Sequence, residues 1–116
     1  MVEAARLRRT KDITSVRTNG VARSDRHFSV RARPNDLGIV RVAVSATRDL
    51  GTAVRRNRAR RRIRETLRSE LRSRESARGM DLVVAARRPA FDAPVADLRA
   101  GLRRVLDTVL PGELGS

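Results

Sequence analysis

Apolar positions along this chain switch between helical and strand periods, and each switch marks an element. Ile13 and Val16 share one side of a short first helix that Thr10 can cap and the Asn19-Gly20 pair should end. From Val21 to Arg33 the pattern alternates, with Phe28, Val30 and Ala32 on one side and His27, Ser29, Arg31 and Arg33 on the other. That is a strand with a polar, basic face. Pro34-Asn35-Asp36-Leu37-Gly38 carries turn chemistry, and Ile39 to Ala46 is a second, valine-rich strand expected in the same antiparallel sheet.

Gly51-Thr52 supplies a break and an N-cap for a long helix from about Ala53 to Glu75. At about 100° per residue, Ala59, Ile63, Leu67 and Leu71 fall within one arc of about 120°, the expected buried stripe. Asn57, Arg58, Arg61, Arg64 and Arg68 share the opposite arc, while Arg56 and Arg60 flank the stripe. The run Leu82-Val83-Val84-Ala85-Ala86 within Asp81 to Arg87 lacks alternation, as expected of a central strand covered on both faces. Val95, Leu98, Leu102, Val105, Leu106 and Val109 then form the stripe of a last helix, with Pro94 in its first turn and Pro111-Gly112 at its end. These elements predict an α+β sandwich with helices covering one side of a sheet.

Composition changes the picture in one respect. The chain has 116 residues, 40% of them hydrophobic, which suits one domain with a modest core; residues 1–116 are expected to form it, with an ordered core over about 6–110 and short flexible termini. Against 13 acidic residues stand 27 basic ones, a net charge of +14, and Lys11 is the only lysine. Such a balance points to nucleic acid, an anionic surface or an acidic partner, although an arginine excess also follows from genomic base composition. The chain has no cysteine, which removes disulfides and thiolate metal sites. Its charged N-terminus and the lack of a long apolar run predict a soluble, cytoplasmic protein without membrane association.

Seven of the ten residues from Arg55 to Arg64 are arginine, at the start of the long helix. A helix N-terminus favours anions, so each cation there costs a few tenths of a kcal/mol, on the order of the macrodipole effect. Like charges spaced three or four apart add to it. A polyanion is the natural compensation. Protein-based catalysis has little support: His27 has no evident partner and is expected to be solvated or to contact RNA, and Asp49, Asp81, Asp92 and Asp97 are scattered near element ends, so neither a catalytic constellation nor a metal site is expected. Asn57 among arginines could read a major groove, but a basic sheet face beside a basic helix suits single-stranded or folded RNA better.

The stretch Ala53 to Glu65, with Arg56-Asn57-Arg58 at its centre, resembles the signature helix of the bacterial ribonuclease P protein subunit. Its neighbourhood agrees: Arg6-Leu7-Arg8-Arg9 followed by Asp12 resembles the family's opening, Asp25-Arg26-His27-Phe28 its early strand, Ser45 to Gly51 the approach to the helix, and Asp81 to Arg87 the last strand. The resemblance spans roughly residues 6 to 109. It implies an αβββαβα sandwich similar to domain 2 of ribosomal protein S5, with a left-handed βαβ crossover against the usual rule.

The resemblance also implies an accessory role. In that family the RNA subunit cleaves precursor tRNA with magnesium to leave the mature 5′ end, and the protein binds that RNA and holds the single-stranded 5′ leader between the sheet and the first helix. By position, Arg56, Asn57, Arg58, Arg61, Arg64, Arg68 and Arg48 are the expected contacts to the catalytic RNA, in a 1:1 assembly, with Mg2+ bound only in the RNA holoenzyme. Asp49 stands where relatives have a second lysine. Ile13, Arg17, Phe28 and Arg31 are the expected leader contacts, although Phe28 and Phe91 are the only aromatic residues and most ring stacking is absent. The alternative is a ribosomal or ribosome-assembly protein that binds rRNA without associated cleavage.

Overall fold

The computed structural model describes residues 1–46 and 51–110. Its elements are β1 (Ala4–Arg6), α1 (Thr10–Asn19), β2 (Val21–Ser24), β3 (Phe28–Pro34), β4 (Val40–Ala46), α2 (Ala53–Leu71), β5 (Met80–Ala86) and α3 (Val95–Val109), with 3-10 turns at Glu75–Ala77 and Arg88–Phe91. The strands form one sheet in the order β1-β4-β5-β3-β2. The α+β class and the expected element order hold, with β1 added at the start.

Several expectations change. The alternating stretch from Val21 to Arg33 is two strands, because Asp25 Oδ1 accepts the His27 N–H at 2.7 Å and turns the chain there. β2 and β3 then pair back on each other, Val21 opposite Ala32. The sheet is mixed: β3 and β4 are separated by β5, which runs antiparallel to β3 and parallel to β4. Thr10 is the first helical residue of α1, not its cap; Arg9 holds that position without a side-chain bond. α2 stops at Leu71, short of Glu75, and Pro94 precedes α3 at its N-cap. Pro111-Gly112 lies outside the described residues.

The helices occupy both sides of the sheet. Phe28, Val30 and Ala32 of β3, Val40 and Val42 of β4, and Leu82, Val84 and Ala86 of β5 form the main core with Ile63, Leu67 and Leu71 of α2 and Leu98, Leu102 and Leu106 of α3. Burying each of those large helix side chains contributes roughly 1.5–3 kcal/mol. The other face carries Val83, packed with Leu7 and Val16 and flanked by Ile13 and Ala43. β5 is therefore covered on both faces, as its unbroken apolar run requires. Among the described residues, α1 and the Leu7 that precedes it cover this second face, and of α1 only Val16 is buried.

Two glycines allow close approaches. At Gly20 a Cβ would lie 2.5 Å from the Val16 carbonyl oxygen and 2.8 Å from that of Ala32, so glycine lets α1 end against β3. In the middle of α3, a Cβ at Gly101 would meet Asp25 Oδ2 at 2.5 Å and Phe28 at 3.2 Å. A helical glycine costs about 1 kcal/mol relative to alanine; here it lets the β2–β3 turn dock on the helix.

Candidate nucleic-acid interface

α2 begins as its sequence requires. Thr52 caps it, its hydroxyl accepting the Arg55 N–H at 3.3 Å, and no acidic residue occupies the first turn. Ala59, Ile63, Leu67 and Leu71 are buried as expected, and the helix sorts its arginines by angle. Toward α3, Arg55 lies 4.8 Å above the Phe91 ring. Arg62 donates to the carbonyls of Ala90 at 3.1 Å, Phe91 at 2.6 Å and Ala93, binding the turn that leads into α3. Thr66 beside it is buried, its hydroxyl returned to the Arg62 carbonyl at 2.8 Å. These inward arginines were not anticipated, yet the signal existed: Arg55 and Arg62 lie within about 60° of Ala59 on the helical wheel.

On the outward arc Arg58, Arg61 and Arg68 are exposed, and Arg64 is half-buried. None of these four has a carboxylate partner among the described residues. Burial, and then the charges of Arg6, Arg60 and Arg68, hold the Arg64 guanidinium below its ordinary pKa. Asn57 accepts from Arg60 Nη2. Arg56 is half-buried, since by angle it falls within the arc of the stripe at the helix's first turn, and its Nε is buried without a partner among the described residues. Arg48 lies outside the described residues, as does Asp49.

The second basic surface lies on the α1 side of the sheet. Arg17, Ser29, Arg31, Ser45, Val83 and Ala85 line a groove of about 420 Å³. Arg31 Nη1 donates to the Arg17 carbonyl at 2.5 Å, tying the end of α1 to β3. The sequence expectation thus brings Arg17 and Arg31 together. Phe28 is corrected: it is fully buried in the main core under α3 and offers no ring to the groove. Alternation explains this, since Ser29 and Arg31 face α1 while Phe28 and Val30 face α2 and α3. Ile13 lies in a neighbouring notch with Arg6, Arg8 and Arg64.

The other end of α1 is held by charge. Asp81 is buried and receives Arg41 through Nε at 2.8 Å and Nη2 at 2.7 Å, with Asn35 Nδ2 at 2.8 Å. Arg41 Nη1 reaches Asp12 of α1 at 3.5 Å. Asp81 raises the Arg41 pKa, first by hydrogen bonding. His27 is buried, not solvated, with Nδ1 3.5 Å from Asp25 Oδ1. Its place in the β2–β3 turn, where the Arg87 N–H donates to its carbonyl at 2.8 Å, removes it from solvent. Among the described residues no three His, Cys, Asp or Glu side chains converge as a metal site, and no helix is long and apolar enough to cross a membrane.

The fold and its charge define a small, strongly basic α+β domain whose arginine-rich helix packs with α3 on one face of a mixed sheet. The ribonuclease P family model matches residues 1–110. The ribonuclease P protein component of Staphylococcus epidermidis is 34% identical over 107 residues, covering 91% of this chain and 90% of that protein. That of Chloroflexus aggregans is 39% identical over 107 residues, covering 91% and 78%. Among solved structures, the RNase P protein of Staphylococcus aureus superposes with a TM-score of 0.78 at 28% identity, covering 94% of this chain and all of that one. The Thermotoga maritima protein gives 0.77 at 27%, covering 92% and 98%. The chain belongs to the ribonuclease P protein family, whose members are the protein component of the tRNA-processing endoribonuclease.

Proposed function

We propose that this subunit docks on the catalytic RNA through the outward face of α2 and holds the 5′ leader of precursor tRNA in the groove between α1 and the sheet. The observation that carries the first half is the set Arg58, Arg61, Arg64 and Arg68, four cations on one helix face that share it with a single carboxylate, Glu65, and form no ion pair among the described residues. Arginine pairs bidentately with phosphate, which suits such a face to an RNA backbone. Asn57, Arg56 and Arg48 complete the proposed interface. In line with the family resemblance, Mg2+ and bond cleavage are assigned to the catalytic RNA. Its working place is the cytoplasm, in a 1:1 assembly.

Arg17 and Arg31 support the second half, because they flank a groove floored by small and apolar side chains. With no ring in the groove, the leader is gripped through phosphates and guanidinium stacking instead of aromatic stacking, which is worth about 1–3 kcal/mol per base where rings are present. Family membership decides against the ribosomal reading. Reconstitution with the cognate catalytic RNA tests the proposal: the protein should enhance precursor cleavage at low magnesium and show none when freed of RNA. Arg31→Ala should reduce discrimination between precursor and mature tRNA. Equal effects on both substrates would remove Arg31 from the leader site.

A further inference from the structure

The notch beside β1 takes one residue from each surface the family resemblance implied, Arg64 and Ile13, and adds Arg6 and Arg8, which neither included. It is a groove of about 280 Å³ lined by Arg6, Leu7, Arg8, Ile13, Val42, Ala43, Val44 and Arg64. Its arginines come from three places in the chain: β1, the link to α1, and α2. None has a hydrogen-bonding or acidic partner among the described residues. We propose that this notch is a further binding site for an RNA phosphodiester, held by Arg6, Arg8 and Arg64.

The sheet edge supplies a second argument. β1 pairs with β4 only from Ala4 opposite Val40 to Arg6 opposite Val42, and the Leu7 N–H then reaches the Val42 carbonyl at 2.8 Å. Beyond that point β4 continues to Ala46 without a strand partner on this side among the described residues. Charged residues on an edge strand commonly serve to prevent strand addition, and Arg6 alone would fit that role. A third cation brought from α2, at a position where like charges already crowd it, does not follow from edge protection. Burial first, and then the charges of Arg6, Arg60 and Arg68, lower the Arg64 pKa, and a bound phosphate would answer those charges.

Position makes the site useful. It shares Arg64 with the outward face of α2, and Ile13 with the α1 side of the sheet, so it lies between the two proposed RNA surfaces. The inference rests on the docking role of α2. The phosphate can come from the catalytic RNA or from the precursor leader, and the binding arms distinguish them.

The test is the Arg6→Ala/Arg8→Ala variant of the full chain, with Arg58→Ala as the reference and Arg6→Lys/Arg8→Lys as the charge-retaining control. Both arginines of the double variant are exposed, so thermal unfolding should match the parent. Affinity for the catalytic RNA is measured across a salt series, and the assembled enzyme is compared on precursor and mature tRNA. The expected result is several-fold weaker binding and a salt slope lower by about 0.7–0.9 for each phosphate no longer neutralised, mostly restored by lysine. Weakening with the catalytic RNA alone assigns the phosphate to it; weakening confined to precursor assigns it to the leader. Unchanged binding in both arms, while Arg58→Ala weakens the catalytic RNA complex, would overturn the site and leave Arg6 and Arg8 as edge guards. If Arg58→Ala is also without effect, the docking role of α2 falls and the notch with it.

Discussion

The outward face of α2 and its seam with α3 are equally rich in arginine and behave oppositely. At the seam, Arg103 pairs with Glu70 at 3.1 Å, Arg99 approaches the same carboxylate at 3.7 Å, and Arg74 meets Asp107 at 2.8 Å. Farther along α3, Arg104 reaches Asp25 at 3.3 Å. Every one of these cations is answered from within the chain. On the outward face Arg58, Arg61, Arg64 and Arg68 have no such answer among the described residues. The number of arginines in a segment thus says little about binding; what distinguishes a docking surface is charge the fold leaves uncompensated.

Breaking a compensated cation should injure the fold and spare recognition. The largest effect is expected at Arg41→Ala, which leaves Asp81 buried with only Asn35 and should cost about 3 kcal/mol of stability, as for other broken buried pairs. Denaturant unfolding checks this; a change near zero would mean that water replaces the guanidinium. Arg62→Ala comes next. It frees the carbonyls before α3 and should cost about 2 kcal/mol, with affinity for the catalytic RNA unchanged per folded molecule. A selective defect in RNA binding would move Arg62 to the other side of the comparison.

Breaking an uncompensated cation should do the reverse. Arg58→Ala/Arg61→Ala should leave the melting temperature unchanged or slightly higher, since like charges three residues apart are removed. The salt slope of catalytic RNA binding should fall by about 0.7–0.9 for each phosphate that is no longer neutralised. A lowered melting temperature with an unchanged slope would show that this face is structural.

The smallest effect is expected at Glu75, an exposed residue of the turn after α2 whose pKa the Arg78 hydrogen bond lowers. Because the folded value lies below the unfolded one, its contribution is complete above the ordinary carboxylate range. It is lost as pH falls through the lowered value. Glu75→Gln should slightly flatten the acid limb of melting temperature against pH, and an unaltered limb would mean the pair contributes nothing.

What sequence made legible was local and periodic. The stripe on α2, the two-faced burial of β5, the stripe on α3 from Leu98 to Val109 and the Thr52 cap each follow from a repeat or a short signal within one segment, whereas Val95, in the first turn of α3, is exposed and not part of the stripe. What it hid was non-local. β1 is three residues long and exists through its pairing with β4. The turn at Asp25 lies where the apolar alternation of β3 stops, since Arg26 and Ser24 occupy the positions in phase with Phe28, and the strand reading runs across it. Phe28 looked available because it was nearly the only ring, whereas the sheet orients it into the core. On α2 the outward arginines were legible by angle, but Arg62 needed the position of the turn at Arg88–Phe91, which no helical wheel contains.

The close approach of Gly101 to Asp25 ties together two positions far apart in the chain. A methyl group at 101 would strike the very carboxylate that turns the β2–β3 hairpin and meets Arg104. Position 101 therefore cannot drift alone: a side chain there demands a shorter one at 25 and a shift of the Phe28 ring 3.2 Å away, and the hairpin must then find another way to turn. In a library randomising both codons, survivors should be recovered as matched pairs, with glycine at 101 wherever aspartate is kept at 25.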